Sequence, residues 1–367
     1  MTAFVESCLE TVADSAVAAE RRAKGRPRAK KLLALLAAKH NVLVTTHQHP
    51  DPDALGSGVG LCKLLAEKLP PRTNINLSIK GRVGGGINDA FIRNSHLKLL
   101  PWSDEALATF DAIILLDTQP QFNFSPLPPD VTPLAVIDHH RGGHGRKPDC
   151  PFCDIRTDAG ATSSIIFSYF MELEVPIPPD LGATLLFAIE SDLAGAAGTP
   201  GELDNMALSS LTLLADTHKL YQMRYVDLPQ SYYIAYSRAL KNAVYHENAL
   251  MSHLGTIDSL EKPAVMGDFL MRFDKVQWAL VTACTDSKLI LSLRTSSPRS
   301  AADVMRRMLR KIGEGGGHRT KGGGFVNTTG CTAAEVDDLR KLIWNRYLRA
   351  LGMKPAKGLR LVPHDAE

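Results

Sequence analysis

The chain has 367 residues, 44% of them hydrophobic, and a net charge of +3. That length can bury a sizeable core and suggests two domains, whereas the charge is too small to identify a nucleic-acid binder by itself. No apolar run approaches a membrane span, and Glu6, Glu10, Asp14 and Glu20 fall where a secretory signal needs an unbroken apolar core, so a cytoplasmic protein without a membrane partner is expected.

Residues 1–40 read as a helical, basic segment. Seven cations crowd residues 21–31, a run that could steer a polyanion but reads more simply as a solvated face before a helix. The apolar run Val42–Thr46 then delivers His47, followed by Pro50-Asp51-Pro52-Asp53. The prolines bias their neighbours to extended geometry, in which Asp51 and Asp53 would point to one side. Alone, such a stretch is a turn with an N-cap; after a strand that ends in a histidine, it reads as part of a site. The small residues Gly56-Ser57-Gly58 open the next helix and would admit a phosphate or a metal-bound oxygen.

A second strand is expected over Thr73–Lys80, then a glycine-rich connection. Two further apolar runs, Ala112–Leu116 and Leu134–Ile137, end in Asp117 and in Asp138-His139-His140. Three strands ending in metal-type ligands match the rule that sites in open α/β sheets lie beyond the carboxyl ends of the strands. The alternation of strands and helices predicts an α/β fold, a parallel sheet with helices on both faces. Residues 142–160 read as a polar loop in which Cys150 and Cys153 are two ordinary loop thiols. Helices are expected over Thr162–Leu173 and Asp180–Ser191, with Asp192 at the exit of the second, where the helix dipole disfavours a carboxylate unless a cation compensates it.

The catalytic domain is taken as residues 41–215, a helical connector as 216–255, a smaller α/β domain as 256–352 and a tail as 353–367. In the smaller domain, Ala264–Phe273, Val276–Cys284 and Lys288–Thr295 read as strands and Ser300–Ile312 as an amphipathic helix. Seven glycines in residues 313–324, with His318, Arg319 and Lys321 among them, suit a flexible loop whose N–H groups could cradle an anion.

Together the candidates suffice for two metal ions. One would be bound by His47, Asp51 and Asp117, the other by Asp53, Asp117, His139 and Asp192, with Asp117 bridging them roughly 3.5–4 Å apart. Imidazole and carboxylate without thiolate suit Mn²⁺, with Mg²⁺, Co²⁺ or Zn²⁺ as alternatives. A water between the ions would lose its proton and attack phosphorus, and His140 would hold a phosphate oxygen or protonate the leaving group.

These residues resemble those of the DHH/DHHA1 phosphoesterases, most closely the nanoRNase and 3'-phosphoadenosine 5'-phosphate phosphatase branch. The resemblance spans nearly the whole chain after residue 40. It rests on His47-x-x-Pro50-Asp51-x-Asp53-Ala54-x-Gly56-Ser57, Asp117, Asp138-His139-His140, Asp192 and Gly315-Gly316-Gly317-His318 in that order. It implies the same metal allocation, a catalytic role for Asp138 and His140, and a substrate grip by Arg294, Gly316, Gly317 and His318, which Ser296 just beyond Arg294 and Lys321 at the glycine cradle would join. The implied partners are short single-stranded oligoribonucleotides or small nucleotides, and a homodimer is compatible with it. Two stretches depart from the family's pattern: Lys321-Gly322-Gly323 stands where Ala-Ala-Gly is usual, and Leu193-Ala194-Gly195-Ala196 follows Asp192. The added charge of Lys321 would favour a further phosphate.

Overall fold

A computed structural model describes residues 27–48, 50–81, 86–95, 97–142, 148–193, 200–317 and 319–363. His49, His318, the segment 194–199 after Asp192 and most of the N-terminal basic segment lie outside them. The chain divides into two compact units, Met1–Ala194 with Thr199–Asp227, and Gly195–Gly198 with Leu228–Glu367.

The first unit begins with α1 (Arg28–Leu36), whose opening N–H groups of Arg28, Ala29 and Lys30 are accepted by the carboxylate of Glu172. β1 (Asn41–Thr46) leads to α2 (Pro52–Lys68), then β2 (Asn74–Leu77), α3 (Gly86–Ser95), β3 (Ala112–Leu116), β4 (Ala135–Asp138) and β5 (Phe152–Ile155). The five strands form a parallel sheet in the order β2-β1-β3-β4-β5. α4 (Thr162–Glu172), α5 (Pro179–Leu193), α6 (Glu202–Leu214) and α7 (Thr217–Arg224) complete the unit.

Side-chain alternation divides the strands between two cores. Val42, Val44, Ile114, Leu116, Ala135 and Ile137 join the large cluster with the helices. Leu43, Ile113, Leu115 and Val136 face a smaller one closed by Leu107 of the 3₁₀ turn Glu105–Thr109 and by Leu127, Trp102 and Phe110. Burial on both faces is why these strands read as unbroken apolar runs.

Three sequence expectations for this unit change. The polar stretch 142–160 contains the edge strand β5, which is only four residues long and carries Asp154 in its middle. Cys150 and Cys153 are joined as a disulfide instead of standing as separate thiols. The glycines of α2 serve packing: a Cβ on Gly56 would lie 2.5 Å from that of Ala188, and one on Gly60 would lie 3.0 Å from both Ile166 and Leu185. Their small size lets α2 lie close against α4 and α5.

The second unit starts with α8 (Gln230–Lys241) and continues through β6 (Val244–His246), β7 (Ala249–Thr256), α9 (Lys262–Leu270), β8 (Trp278–Cys284), β9 (Lys288–Thr295), α10 (Ala301–Leu309), β10 (Glu314–Gly317), β11 (Lys321–Asn327), α11 (Ala333–Ala350) and β12 (Leu359–Arg360). Its seven strands run β10-β11-β9-β8-β7-β6-β12. β6 and all but the last residue of β7 lie within the stretch expected to be helical. The expected strand Ala264–Phe273 is the helix α9, because Pro263 sits in its first turn and Met266 and Leu270 recur at helical spacing as its buried face. Most of the glycine loop is a hairpin, with β10 and β11 antiparallel and Gly315 opposite Gly324. A Cβ on Gly324 would lie 2.4 Å from Leu309 of α10, whereas one on Gly323 would meet nothing within 4 Å, so one face of the hairpin packs and the other is open.

Candidate metal centre

The strand order reverses direction between β1 and β3, and such a switch point leaves a crevice at the carboxyl edge of a parallel sheet. Thr46 is level with Leu116 and Leu116 with Ile137, so His47, Asp117 and Asp138 emerge side by side from neighbouring strands. Asp117 adopts φ +55°, a left-handed conformation that Asp tolerates better than most residues. This turns the chain out of the strand at the residue whose carboxylate serves both histidines: Oδ2 is 3.6 Å from His47 Nε2 and Oδ1 is 3.4 Å from His139 Nε2.

The ligand atoms fall into three overlapping groups, each with members within 4.8 Å of one another: His47, Asp51 and Asp117; Asp53, His139 and Asp192; and Asp117, His139 and His140. Asp51 and Asp53 therefore belong to different groups. The helix begins at Pro52, so Asp53 turns into its buried first turn and does not alternate along an extended chain. Asp51 is the N-cap, one carboxylate oxygen accepting from the N–H groups of Asp53 and Ala54, both at 3.1 Å. The turn-and-cap reading thus holds for Asp51, which also lies in a candidate ligand group. Asp192 occupies the last turn of α5, 3.4 Å from His139 Nε2.

Neighbouring groups fix these ligands. The first N–H groups of α4 grip Asp53: Thr162 N and Ser163 N donate to its two carboxylate oxygens at 2.7 and 2.9 Å, while the Thr162 hydroxyl donates to Asp117 at 2.8 Å. A helix N-terminus is a ready anion holder, here holding the Asp53 carboxylate in place. Asp204 anchors the segment before it, one carboxylate oxygen accepting from Gly160 N and Gly201 N at 2.7 Å each.

Asp138 is wholly buried and accepts from His140 Nδ1 at 2.6 Å. Gln119 Nε2 donates to the other Asp138 oxygen at 2.7 Å and to the His140 carbonyl at 2.9 Å. The contact of Nδ1 with Asp138 fixes the orientation of the His140 ring.

Sequence reading did not single out Thr162, Ser163 or Gln119. For the first two a signal existed, a Thr-Ser-Ser run opening an apolar helix. For Gln119 none did, because its role depends on β3 and β4 being neighbours.

Burial raises the Asp53 carboxyl well above the usual carboxylate range, and Asp117 and Asp192 reinforce it. Burial opposes charge on His47, but the hydrogen bond and charge of Asp117, with Asp51, outweigh it and push the imidazole up to about 9. His139 is raised well above its ordinary value by the same balance, with Asp117, Asp192 and Asp53 on the raising side. Burial also works against ionisation of Asp117, yet His139, His47 and His140 hold it well below the usual range. A cluster that draws protons onto its own imidazoles has more negative charge than the protein compensates, which is the condition a bound cation meets.

In the second unit, Arg294 donates from Nε to Asp268 at 2.6 Å and from a terminal nitrogen to Ser292 at 3.1 Å. Lys321 is its cross-strand partner on β11, and Gly316 pairs with Gly323 on the face open to solvent. Gly317 ends β10, and Ser296 follows β9 with its N–H bonded to the Gln277 carbonyl at 3.0 Å. The structure thus brings Arg294, Lys321 and the glycine pair onto adjoining strands of one sheet.

A parallel α/β domain carrying buried carboxylates and imidazoles at one sheet edge defines the class of this first unit. Residues 41–189 match the family described as DHH family, N-terminal domain. Over 322 residues, 86% of this chain and 65% of the relative, it is 26% identical to the uncharacterized protein MJ1633 of Methanocaldococcus jannaschii. Over 152 residues, 41% of this chain, it is 29% identical to a probable manganese-dependent inorganic pyrophosphatase of Enterococcus faecalis, of which 47% is covered. The chain therefore matches about half to two thirds of the length of these relatives. An exopolyphosphatase-related protein of Bacteroides fragilis shares the fold, with a TM-score of 0.68 at 16% identity over 88% of this chain and 97% of that one. Among the described residues no helix is long and apolar enough to cross a membrane.

Proposed function

We propose that the chain is an enzyme, a metal-dependent phosphoester hydrolase that cleaves short single-stranded oligoribonucleotides or removes a phosphate from 3'-phosphoadenosine 5'-phosphate. The observation that carries this reading is the overlap of the ligand groups, in which Asp117 and His139 each belong to two of the three. His47, Asp51 and Asp117 would hold one divalent cation, and Asp53, His139 and Asp192, with Asp117 shared, a second. With both imidazoles neutral and all four carboxylates ionised, as ligands would be, the cluster carries four negative charges, the amount two such ions neutralise. The oxygen and nitrogen donors suit Mn²⁺, and the relationship to manganese-dependent pyrophosphatases supports that choice.

When bound, divalent ions in such a site activate water at neutral pH and offset charge on the phosphoryl oxygens. The protein's own groups supply the rest. Asp138 and Gln119 hold the His140 ring so that Nε2 can bind a phosphate oxygen or deliver a proton to the leaving group. The start of α4 keeps Asp53 aimed at the cluster. Arg294 and Lys321 offer a cationic pair on the second unit for a phosphate, a role that Lys321, replacing the family's usual alanine, strengthens.

A product-release assay with Mn²⁺ tests the reading against a dinucleotide, longer RNA, adenosine bisphosphate, a cyclic dinucleotide and inorganic pyrophosphate. The dinucleotide or the bisphosphate should turn over fastest. Preference for pyrophosphate or a cyclic dinucleotide would replace the substrate assignment. Nucleotide binding without turnover on any of the five would make the chain a silent nucleotide-binding protein.

A further inference from the structure

Two phenylalanines beside the metal-ligand cluster have no part in the chemistry above. Phe122 and Phe124 lie on the loop that follows β3, with ring centroids 5.4 Å apart. Phe122 meets His140 edge to face at 6.3 Å, and Phe124 meets His47 in the same way at 5.8 Å. Phe124 nevertheless leaves 44% of its surface exposed. The loop presenting these rings is held in place at both ends. Gln48 N donates to the Phe124 carbonyl at 2.9 Å and Gln48 Nε2 to that of Ser125 at 3.2 Å, while Phe122 N donates to the Gln119 carbonyl at 3.0 Å. The Gln121 amide closes on Gln119 at 2.6 Å, tying the loop to the residue that positions Asp138.

An open aromatic ring beside an anion-processing site has a definite selectivity. The face of the ring carries the negative part of its quadrupole, so inorganic phosphates gain nothing from it. A flat heterocycle attached to the phosphate gains stacking, with little regard to which base it is, because every base has a π-face. We propose that Phe124, backed by Phe122, is a stacking platform for the nucleobase adjoining the phosphate that is cleaved, and that it biases this site towards nucleotides over inorganic phosphates. The proposal rests on the phosphoesterase reading and names the substrate feature that the first unit itself recognises.

The test compares wild type with Phe124→Ala, Phe124→Leu and Phe124→Trp in the presence of Mn²⁺. Calorimetric titration with adenosine 5'-monophosphate and with ribose 5-phosphate separates the base from the sugar phosphate they share. Phe124→Ala should weaken the adenosine ligand by about 10-fold or more, the scale of losing one base–aromatic stack, and leave ribose 5-phosphate unchanged. Phe124→Leu, which keeps apolar bulk over His47 without a π-face, should behave like the alanine variant, and Phe124→Trp should restore binding. In turnover, KM for a dinucleotide should rise while the constants for inorganic pyrophosphate stay fixed. Equal weakening of both ligands, or full retention in Phe124→Leu, would mean that Phe124 only covers His47, and the platform would fall. A wild type that binds the adenosine ligand through Phe124 yet hydrolyses no phosphoester would support the platform and overturn the enzymatic reading.

Discussion

His47 in the first unit and His253 in the second are both largely buried, and their proton affinities move in opposite directions. Burial opposes charge on each ring. Around His47 the carboxylates of Asp117 and Asp51 reverse that effect and raise the ring to about 9. Around His253 the Arg340 charge adds to burial and lowers the ring to about 4, with Nδ1 satisfied by the Thr282 hydroxyl at 2.9 Å. The contrast separates a histidine placed in a surplus of negative charge, which a cation can neutralise, from one kept neutral as part of a core. It follows from sheet type as well. Parallel strands end at the same edge, so His47, Asp117 and Asp138 converge there, whereas in the largely antiparallel sheet Arg294 and Lys321 meet only as neighbours across a ladder.

Removing the carboxylate common to two ligand groups should have the largest effect on this contrast. Asp117→Ala should abolish hydrolysis and lower metal content, read by elemental analysis of the purified protein alongside the release assay. Full metal content with retained turnover would remove Asp117 from the centre.

Next in size, His140→Ala should keep its metal and lose rate on the order of 10²-fold, as for a lost general acid or phosphate contact. Here the structure sharpens the issue, because His140 Nδ1 lies 3.6 Å from Asp117 Oδ1 and His140 shares a ligand group with His139. Metal loss in His140→Ala but not in His139→Ala would exchange the two histidines' roles.

Arg294→Ala should weaken dinucleotide binding by about 1.5–3 kcal/mol with metal content unchanged, the scale of a charge-assisted hydrogen bond. The Asp268 partner provides the comparison. Asp268→Ala should leave binding intact or tighten it if Arg294 serves a substrate phosphate. If instead the ion pair serves only the fold, both variants should lower thermal stability and neither should change KM.

The smallest effect concerns pH. His253 has a folded pKa of about 4, below its ordinary 6.5, so between those values the unfolded chain binds the proton and the folded one does not. Stability from this residue is complete above pH 6.5 and is lost as pH falls towards 4. Between pH 7.5 and 5, wild type should lose on the order of 2 kcal/mol more than His253→Gln in the melting of the second unit. Identical pH profiles would mean that His253 titrates in the fold as it does in the unfolded chain.

Local pattern made much of the first unit legible. Ala112–Leu116 is a strand over the residues read as one, and Asp117 and Asp138 stand where the apolar runs stop. Buried parallel strands announce themselves because both of their faces are apolar. The second unit is less legible: the residues of α9 read as a strand, since a short apolar run has no period long enough to separate the two. The glycines of the hairpin read as loop, since glycine's backbone freedom hides the ladder that β9 imposes through β11.

By itself, then, the sequence determined which residues could ligate a cation and which strands deliver them, because ligand chemistry belongs to residue types and strand signals to neighbours along the chain. Only the tertiary structure decided how the ligands divide. Pro52 starts the helix between Asp51 and Asp53, and the two aspartates join different groups. Likewise Thr162, Ser163, Gln119 and Phe124 acquire their places from segments tens of residues away, 45 from Thr162 to Asp117 and 77 from Gln48 to Ser125. The physical reason is range. A local pattern reflects the burial of one face, whereas holding a carboxylate or a ring in place takes donors from elements that meet only when the sheet and its helices have packed.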